Sequence, residues 1–421
     1  MVNRLRTELP AITYGFINLV AIFFVNYFSD LPVWVGNWES KALKIASLQN
    51  PLDNFYPPGG AILLVPFLGF KPHYQIAVFF YFTVSAILYF MICKKMIKNL
   101  KFFYLALLSF TGNPYLLWLV NSSQDTVFEL FLIMCGFSLI LTRKYILAFF
   151  PIYMLCLTRP AYWVSFLILP FLIVVLKIKN NKNLLVSKKI ILVPIFFLVA
   201  TFSINQLMFK SLSLAGEAGM TAHFGHNKYW YLSMPKFDSD VFLSTGGNMD
   251  TNRLLNGNTK FTYVENSEFR AALINIYENP KSLFLNTLQK IDTYFFSVQK
   301  NPQLSGEFYL SDNQKSIVIG KERNSWLLIF GSYLYFFNRA MILIFSICAA
   351  TMLYILPKFR REFFGQPNVL FCAPYLFGSI SAILFFTESR YKIVSELVLV
   401  PLVLSIFDDF KKYRSKNYSS I

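Results

Sequence analysis

Charge is scarce in this chain. Asp, Glu, Lys and Arg make up 14% of its 421 residues, against 55% hydrophobic residues. A water-soluble chain of this length needs more charged surface than that. Mean hydropathy is +0.48, which places the chain among membrane proteins. Acidic residues are the rarer sign, 22 against 39 Lys plus Arg. The resulting +17 charge falls in short loops between apolar runs, and no basic stripe carries interleaved aromatics. Nucleic-acid binding is therefore excluded.

Cysteine is also sparse. Cys93, Cys135, Cys156, Cys348 and Cys372 each lie in or beside an apolar run. They read as small buried hydrophobes, with neither a disulfide framework nor CxxC metal spacing. No GxSxG, Walker loop or HExxH occurs, so the chemistries built on those motifs have no support. His223 and His226, in "HFGH", sit in a glycine-rich context unlike a metal motif. There is no internal repeat and no low-complexity tract.

Long apolar runs are what the chain has instead. They are Leu9–Tyr27, Ile76–Cys93, Phe102–Val120, Thr126–Leu141, Tyr145–Leu157, Tyr162–Leu176, Ile190–Met208, Ala340–Leu356, Val369–Phe386 and Ile393–Phe407. This pattern predicts an all-α polytopic membrane protein of about ten spans. The first run follows Arg4 and Arg6 without a small-residue cleavage site, so it is expected to be an uncleaved span. Six basic segments punctuate the runs: Arg4/Arg6, 94–101, Arg143/Lys144, 177–189, 358–362 and 411–416. With ten spans all six fall on one side, which the positive-inside rule makes cytoplasmic together with both termini.

Three modules follow. Residues 1–208 form an N-terminal transmembrane module with a first outer loop at 29–57. Residues 209–335 form an extracytoplasmic loop domain containing half of the acidic residues, and 336–421 form a C-terminal transmembrane module. Within the loop domain, "SEFRAALINIYENPKSLFLNTLQKI" has helical spacing. The Gly- and Asn-rich stretches before it read as loops.

Ionisable groups at the outer ends of spans are costly unless hydrated, paired or used on a ligand. Glu39, Asp53, Asp125, Arg159, Glu388, Arg390 and Lys392 all fall on the outer side. Glu39 opens "WESKALKIA", whose Trp38, Ala42, Ile45, Ala46 and Leu48 approximate one face of an interfacial helix. Its carboxylate suits either a general base or a helix N-terminal acid. Asp125 suits an N-cap or a metal or acceptor contact. Arg159 and Arg390 offer planar forks for an anion; snorkelling, or pairing with Glu388, is the alternative. The stretch "FYPPGGAILLVPF" places Pro57, Pro58 and two glycines at the mouth of a segment too short to span and broken again at Pro66. It reads as a cavity wall or as a plain helix start.

In this order the motifs resemble polytopic lipid-sugar-dependent glycosyltransferases of the GT-C fold. The likeness is to the bacterial group related to protein mannosyltransferases and the aminoarabinose transferase. "WESKALKIA", "FYPPGGAILLVPF", "SSQDTVFELFLI", "LTRPAYW" and "ESRYKIVSELVLVP" occupy the places of that group's motifs, mainly in the first half and the last 35 or so residues. The group's first acid is Trp38 here, which leaves Glu39 as base, with Asp53 or Asp125 in reserve.

The resemblance implies a GT-C-like bundle with its active site outside a bacterial plasma membrane. The donor would be a sugar on a polyprenyl phosphate, and the acceptor a glycan, lipid or protein. Phosphate would bind Arg159, Arg390 and Lys392. Tyr56, Pro57, Pro58, Tyr391 and Glu388 would line the cavity. One displacement would invert the anomeric carbon. A divalent cation is compatible with such chemistry, but no ligand cluster requires it. Two other readings compete: a polysaccharide polymerase or ligase acting on a diphosphate lipid, and a non-enzymatic transporter or assembly protein.

Overall fold

The structure is a computed structural model. It describes residues 2–29, 38–47, 58–71, 73–113, 116–117, 120, 126–179, 184–209, 226, 261–291, 307–309, 316–318, 325–364, 369–370, 380 and 390–418. These residues are helical apart from turns and one antiparallel ribbon, β1 (Glu307–Tyr309) against β2 (Ser316–Val318). An all-α fold is therefore observed. The ribbon was not anticipated.

The chain runs through α1 (Val2–Ser29), α2 (Trp38–Ala46), α3 (Gly59–Leu64), α4 (His73–Met96), α5 (Leu100–Thr111), α6 (Thr126–Leu141), α7 (Tyr145–Thr158), α8 (Trp163–Lys179) and α9 (Leu184–Phe209). The helices α10 (Phe261–Glu278) and α11 (Pro280–Ile291) follow, then the ribbon. The last three are α12 (Ser325–Ile355), α13 (Pro357–Phe363) and α14 (Arg390–Tyr418). Among the described residues, Gln75–Met96 is long and apolar enough to cross a membrane, and seven further apolar helices have 10–17 residues.

Neighbouring helices alternate in direction. Tyr14 meets Phe90 and Phe23 meets Phe79, so α1 lies antiparallel to α4. Phe149 meets Phe166 and Tyr153 meets Trp163, so α7 and α8 are antiparallel too. At one end, the Lys95 ammonium donates to the Leu141 carbonyl at 2.7 Å, satisfying a carbonyl that the end of α6 leaves open. There the Lys98 amide donates to Asp408 at 2.8 Å. Phe102 meets Phe407, and Phe359 meets Phe410 and Tyr413. Helix directions thus gather all six basic segments at this end. Asp408 and Asp409 pair there with Lys412 at 3.1 and 3.3 Å, a structural role.

Apolar side chains also face outward. Leu9, Ile12, Phe16, Val20, Phe23 and Phe24 form an exposed stripe on α1, and Leu192, Ile195, Phe196 and Val199 form another on α9. Cys348 is exposed on α12, against the expectation of burial.

Some boundaries differ from expectation. The run Phe102–Val120 is not one helix: α5 stops at Thr111, capped by Gly112. The buried Asn113 then accepts the Leu116 amide through Oδ1 at 3.0 Å, so "GN" closes one helix and opens a new turn. The domain boundary expected at 335 falls inside α12, whose 31 residues extend about 46 Å. The expected helical stretch in the loop domain is present as α10 and α11, divided at Asn279–Pro280 as proline requires. The run Val369–Phe386 and the Gly- and Asn-rich loops lie largely outside the described residues.

The segment after "YPPGG" forms the six-residue α3 and a three-residue 3-10 turn, Val65–Phe67, containing Pro66. Tyr81 closes it by donating to the Leu63 carbonyl at 2.7 Å. Gly59 explains the glycine requirement. A Cβ there would lie 2.3 Å from Thr158 Oγ1, 2.6 Å from the Thr158 nitrogen and 2.7 Å from the Leu157 carbonyl carbon. Two of those three neighbours are backbone and cannot turn aside. Gly59→Ala is expected to destabilise the fold by about 1–3 kcal/mol, whereas Gly69→Ala, with nothing within 4 Å, stays within about 0.5 kcal/mol. Thermal unfolding of the two purified variants checks this.

In the loop-domain hairpin, Lys290 is 1% exposed, and burial pushes its ammonium down to about 7 from an ordinary 10.5. Below pH 7 both the folded and the unfolded chain hold the proton. Between about 7 and 10.5 only the unfolded chain does, so stability rises with pH through that window. Amide exchange in residues 261–291, corrected for intrinsic rate, should slow from pH 7 to pH 9. Lys290→Met should flatten that dependence.

Candidate functional site

Pro160 organises the turn that carries Arg159. The residue before a proline is driven out of the helical region, and Arg159 is extended, at φ −139° and ψ 108°. Helix α7 therefore ends at Thr158. The arginine amide still bonds back to the Leu155 carbonyl at 2.7 Å, while its cationic side chain stands at the negative end of the helix dipole. Residues Pro160–Tyr162 make one 3-10 turn, closed by the Tyr162 amide on the Arg159 carbonyl at 3.1 Å.

Three residues apart on this turn, Arg159 and Tyr162 grip the same carboxylate. Arg159 Nε lies 3.0 Å from Glu129 Oε2, and the Tyr162 hydroxyl donates to Glu129 Oε1. Glu129 belongs to the first turn of α6. Arg159 is 6% exposed and Glu129 is fully buried. Removing two charges from solvent costs several kcal/mol each, a cost offset only when geometry and hydrogen bonding are good; here Oε1 accepts the Tyr162 hydroxyl, while Oε2 faces Arg159 Nε at ion-pair distance without a well-aligned hydrogen bond. Ser395, buried in the second turn of α14, faces the Tyr162 hydroxyl within hydrogen-bonding reach. Thr126 Oγ1, one turn before Glu129, and Trp163 Nε1, beside Tyr162, are buried without a hydrogen-bond partner among the described residues.

The expected site residues fall as follows. Arg159 is buried and paired with Glu129. Glu39 is half-buried in the first turn of α2, and α2 packs on α3. Since Gly59 of α3 lies against Thr158, α2 and the Arg159 turn share one neighbour. On α2, Ala42 and Lys41 are buried while Ala46 is exposed, so a lysine replaces the alanine expected on the inner face. Pro58 is half-buried and starts α3, its carbonyl accepting the Ile62 amide at 2.9 Å. Arg390, Tyr391 and Lys392 open α14, with only their backbone described. Arg390 starts about 7 Å along the axis from Ser395. Asp53, Tyr56, Pro57, Asp125 and Glu388 lie outside the described residues.

Helix directions put α2, α3, the start of α6, the Arg159 turn and the start of α14 at the end opposite the basic segments. Glu129 was missed. Its signal was a carboxylate inside "DTVFELFLI", where a lone acid in an apolar run calls for a partner. Among the described residues no group of three His, Cys, Asp or Glu side chains could hold a metal ion.

No family model, curated protein or solved structure matches this chain.

The ion pair has a measurable signature. Arg159→Leu should lower stability by about 3–5 kcal/mol by leaving Glu129 buried and uncompensated. Glu129→Leu combined with Arg159→Met should recover most of that loss. Unfolding of the single and double variants in one detergent checks both.

Proposed function

We propose that the protein is an integral-membrane glycosyltransferase of GT-C-like architecture. It would move a sugar from a polyprenyl-phosphate donor to a glycan, lipid or protein acceptor at the outer face, with inversion. One observation carries the reading: a buried guanidinium, Arg159, sits at the end of the bundle remote from the six basic segments and beside the Pro58–Gly59 turn.

Two further features support it. Exposed apolar stripes on α1 and α9 suit lipid contact. The gathering of basic segments at one end matches the charge asymmetry of a cytoplasmic face, which supports an extracytoplasmic Arg159 end.

In this reading the lipid tail stays in the bilayer and the phosphate reaches the Arg159 turn. Phosphate leaves as an anion, so it needs charge stabilisation more than a proton; Arg159, with Arg390 and Lys392 from the start of α14, would supply it. Glu39, with Asp53 or Asp125 in reserve, would take the proton from the acceptor hydroxyl as its oxygen attacks the anomeric carbon. The bond to phosphate breaks on the opposite side, which inverts that carbon. Tyr56, Pro57, Pro58, Tyr391 and Glu388 would wall the pocket.

Purified protein in liposomes, given a labelled monosaccharide on polyprenyl phosphate and a panel of acceptors, should form a glycosidic product of inverted configuration. Glu39→Gln should slow turnover about 10²–10⁴-fold. Unchanged turnover in that variant removes Glu39 as base. Transfer only from oligosaccharide diphosphate lipids turns the assignment to a polymerase or ligase, and transmembrane movement of sugar without a product turns it to a transporter.

A further inference from the structure

Arginine is a flexible hook. Its long side chain has many rotamers to lose, and its planar fork is useful only in a fixed orientation. Resting on the sugar-transfer reading, we propose that Glu129 and Tyr162 are positioning residues that lock the Arg159 guanidinium for the donor phosphate.

Four observations converge on this assignment. The contact uses Nε of Arg159, 3.0 Å from Glu129 Oε2, so the carboxylate charge lies at the inner edge of the fork and leaves the two terminal nitrogens for a ligand. The carboxylate it meets belongs to a helix rather than a loop, since Glu129 lies in the first turn of α6. Tyr162 holds the other oxygen of that carboxylate by a hydrogen bond, which restrains Glu129 on the side away from Arg159. The two gripping residues are joined by one short 3-10 turn that Pro160 starts. Arg159, Glu129 and Tyr162 therefore form a closed clasp. Ser395 of α14, the helix that begins with Arg390, lies near the Tyr162 hydroxyl. The phosphate-binding groups would thus be held in register by one buried carboxylate that never touches substrate.

The test separates positioning from support of the fold. Tyr162→Phe removes one oxygen and keeps the ring. Glu129→Asp keeps the charge and shortens the reach. Both are measured in liposomes for transfer from a polyprenyl-phosphate monosaccharide, with thermal unfolding followed in parallel. A positioning role raises the KM for donor about tenfold or more in Tyr162→Phe while turnover at saturating donor falls less, and folded protein melts near the unsubstituted temperature. Glu129→Asp should show the same split, milder than Glu129→Gln. Should Glu129→Asp not fold, Tyr162→Phe carries the test alone. A donor KM within about twofold of the unsubstituted protein in folded Tyr162→Phe overturns the assignment and leaves the clasp purely structural. Absence of transfer by the unsubstituted protein is a different result: it removes the sugar-transfer reading itself, and this assignment with it.

Discussion

A guanidinium and a carboxylate share a space from which water is almost entirely excluded, and the end of the bundle is built around that pair. Neither charge could stay there alone. Glu129 has no exposed surface, and an uncompensated buried carboxylate costs more than a small helical bundle has to spare. Arg159 supplies the opposite charge, and Tyr162 engages the other oxygen. Because these groups come from α6 and the α7–α8 turn, the pair joins parts of the chain some thirty residues apart.

The two ends of the bundle solve their electrostatics differently. At the basic end, charge is abundant and largely exposed. There Lys95 completes an open helix terminus, and Asp408 accepts the Lys98 amide between two helices. At the opposite end, among the described residues, Arg159 and Glu129 form an enclosed pair. An enclosed ion pair is weak evidence for stability, but it orients a side chain well, since its donors and acceptors have one arrangement that satisfies them all.

The proline–glycine stretch belongs to the same construction. Pro58 begins a helix too short to span a bilayer, and Gly59 lets its backbone settle on Thr158. That contact sets α3 directly beside the Arg159 turn and brings α2, with Glu39, alongside. A bulkier residue at 59 would push the two turns apart, and the loss would reach the ion pair one residue beyond Thr158.

Much of the architecture is readable from residue order. Apolar run lengths foretell the helices, since backbone groups removed from water must be satisfied within a segment. The six basic segments foretell which helix ends lie together. Arg159 was legible as a planar donor for an anion, with snorkelling or pairing with Glu388 as the alternative; it is found paired, with Glu129 instead. Local pattern could not foretell that "GN" at 112–113 would divide an apolar run, or that a helix would continue through residue 335. In both places capping and continuation were decided by local backbone bonding, to which hydropathy is blind. Least legible was Glu129. Within its own segment it is a solitary acid among hydrophobic neighbours. Its meaning comes from Arg159 and Tyr162, some thirty residues away, and a charge pair is a property of distance, which no single stretch of chain contains.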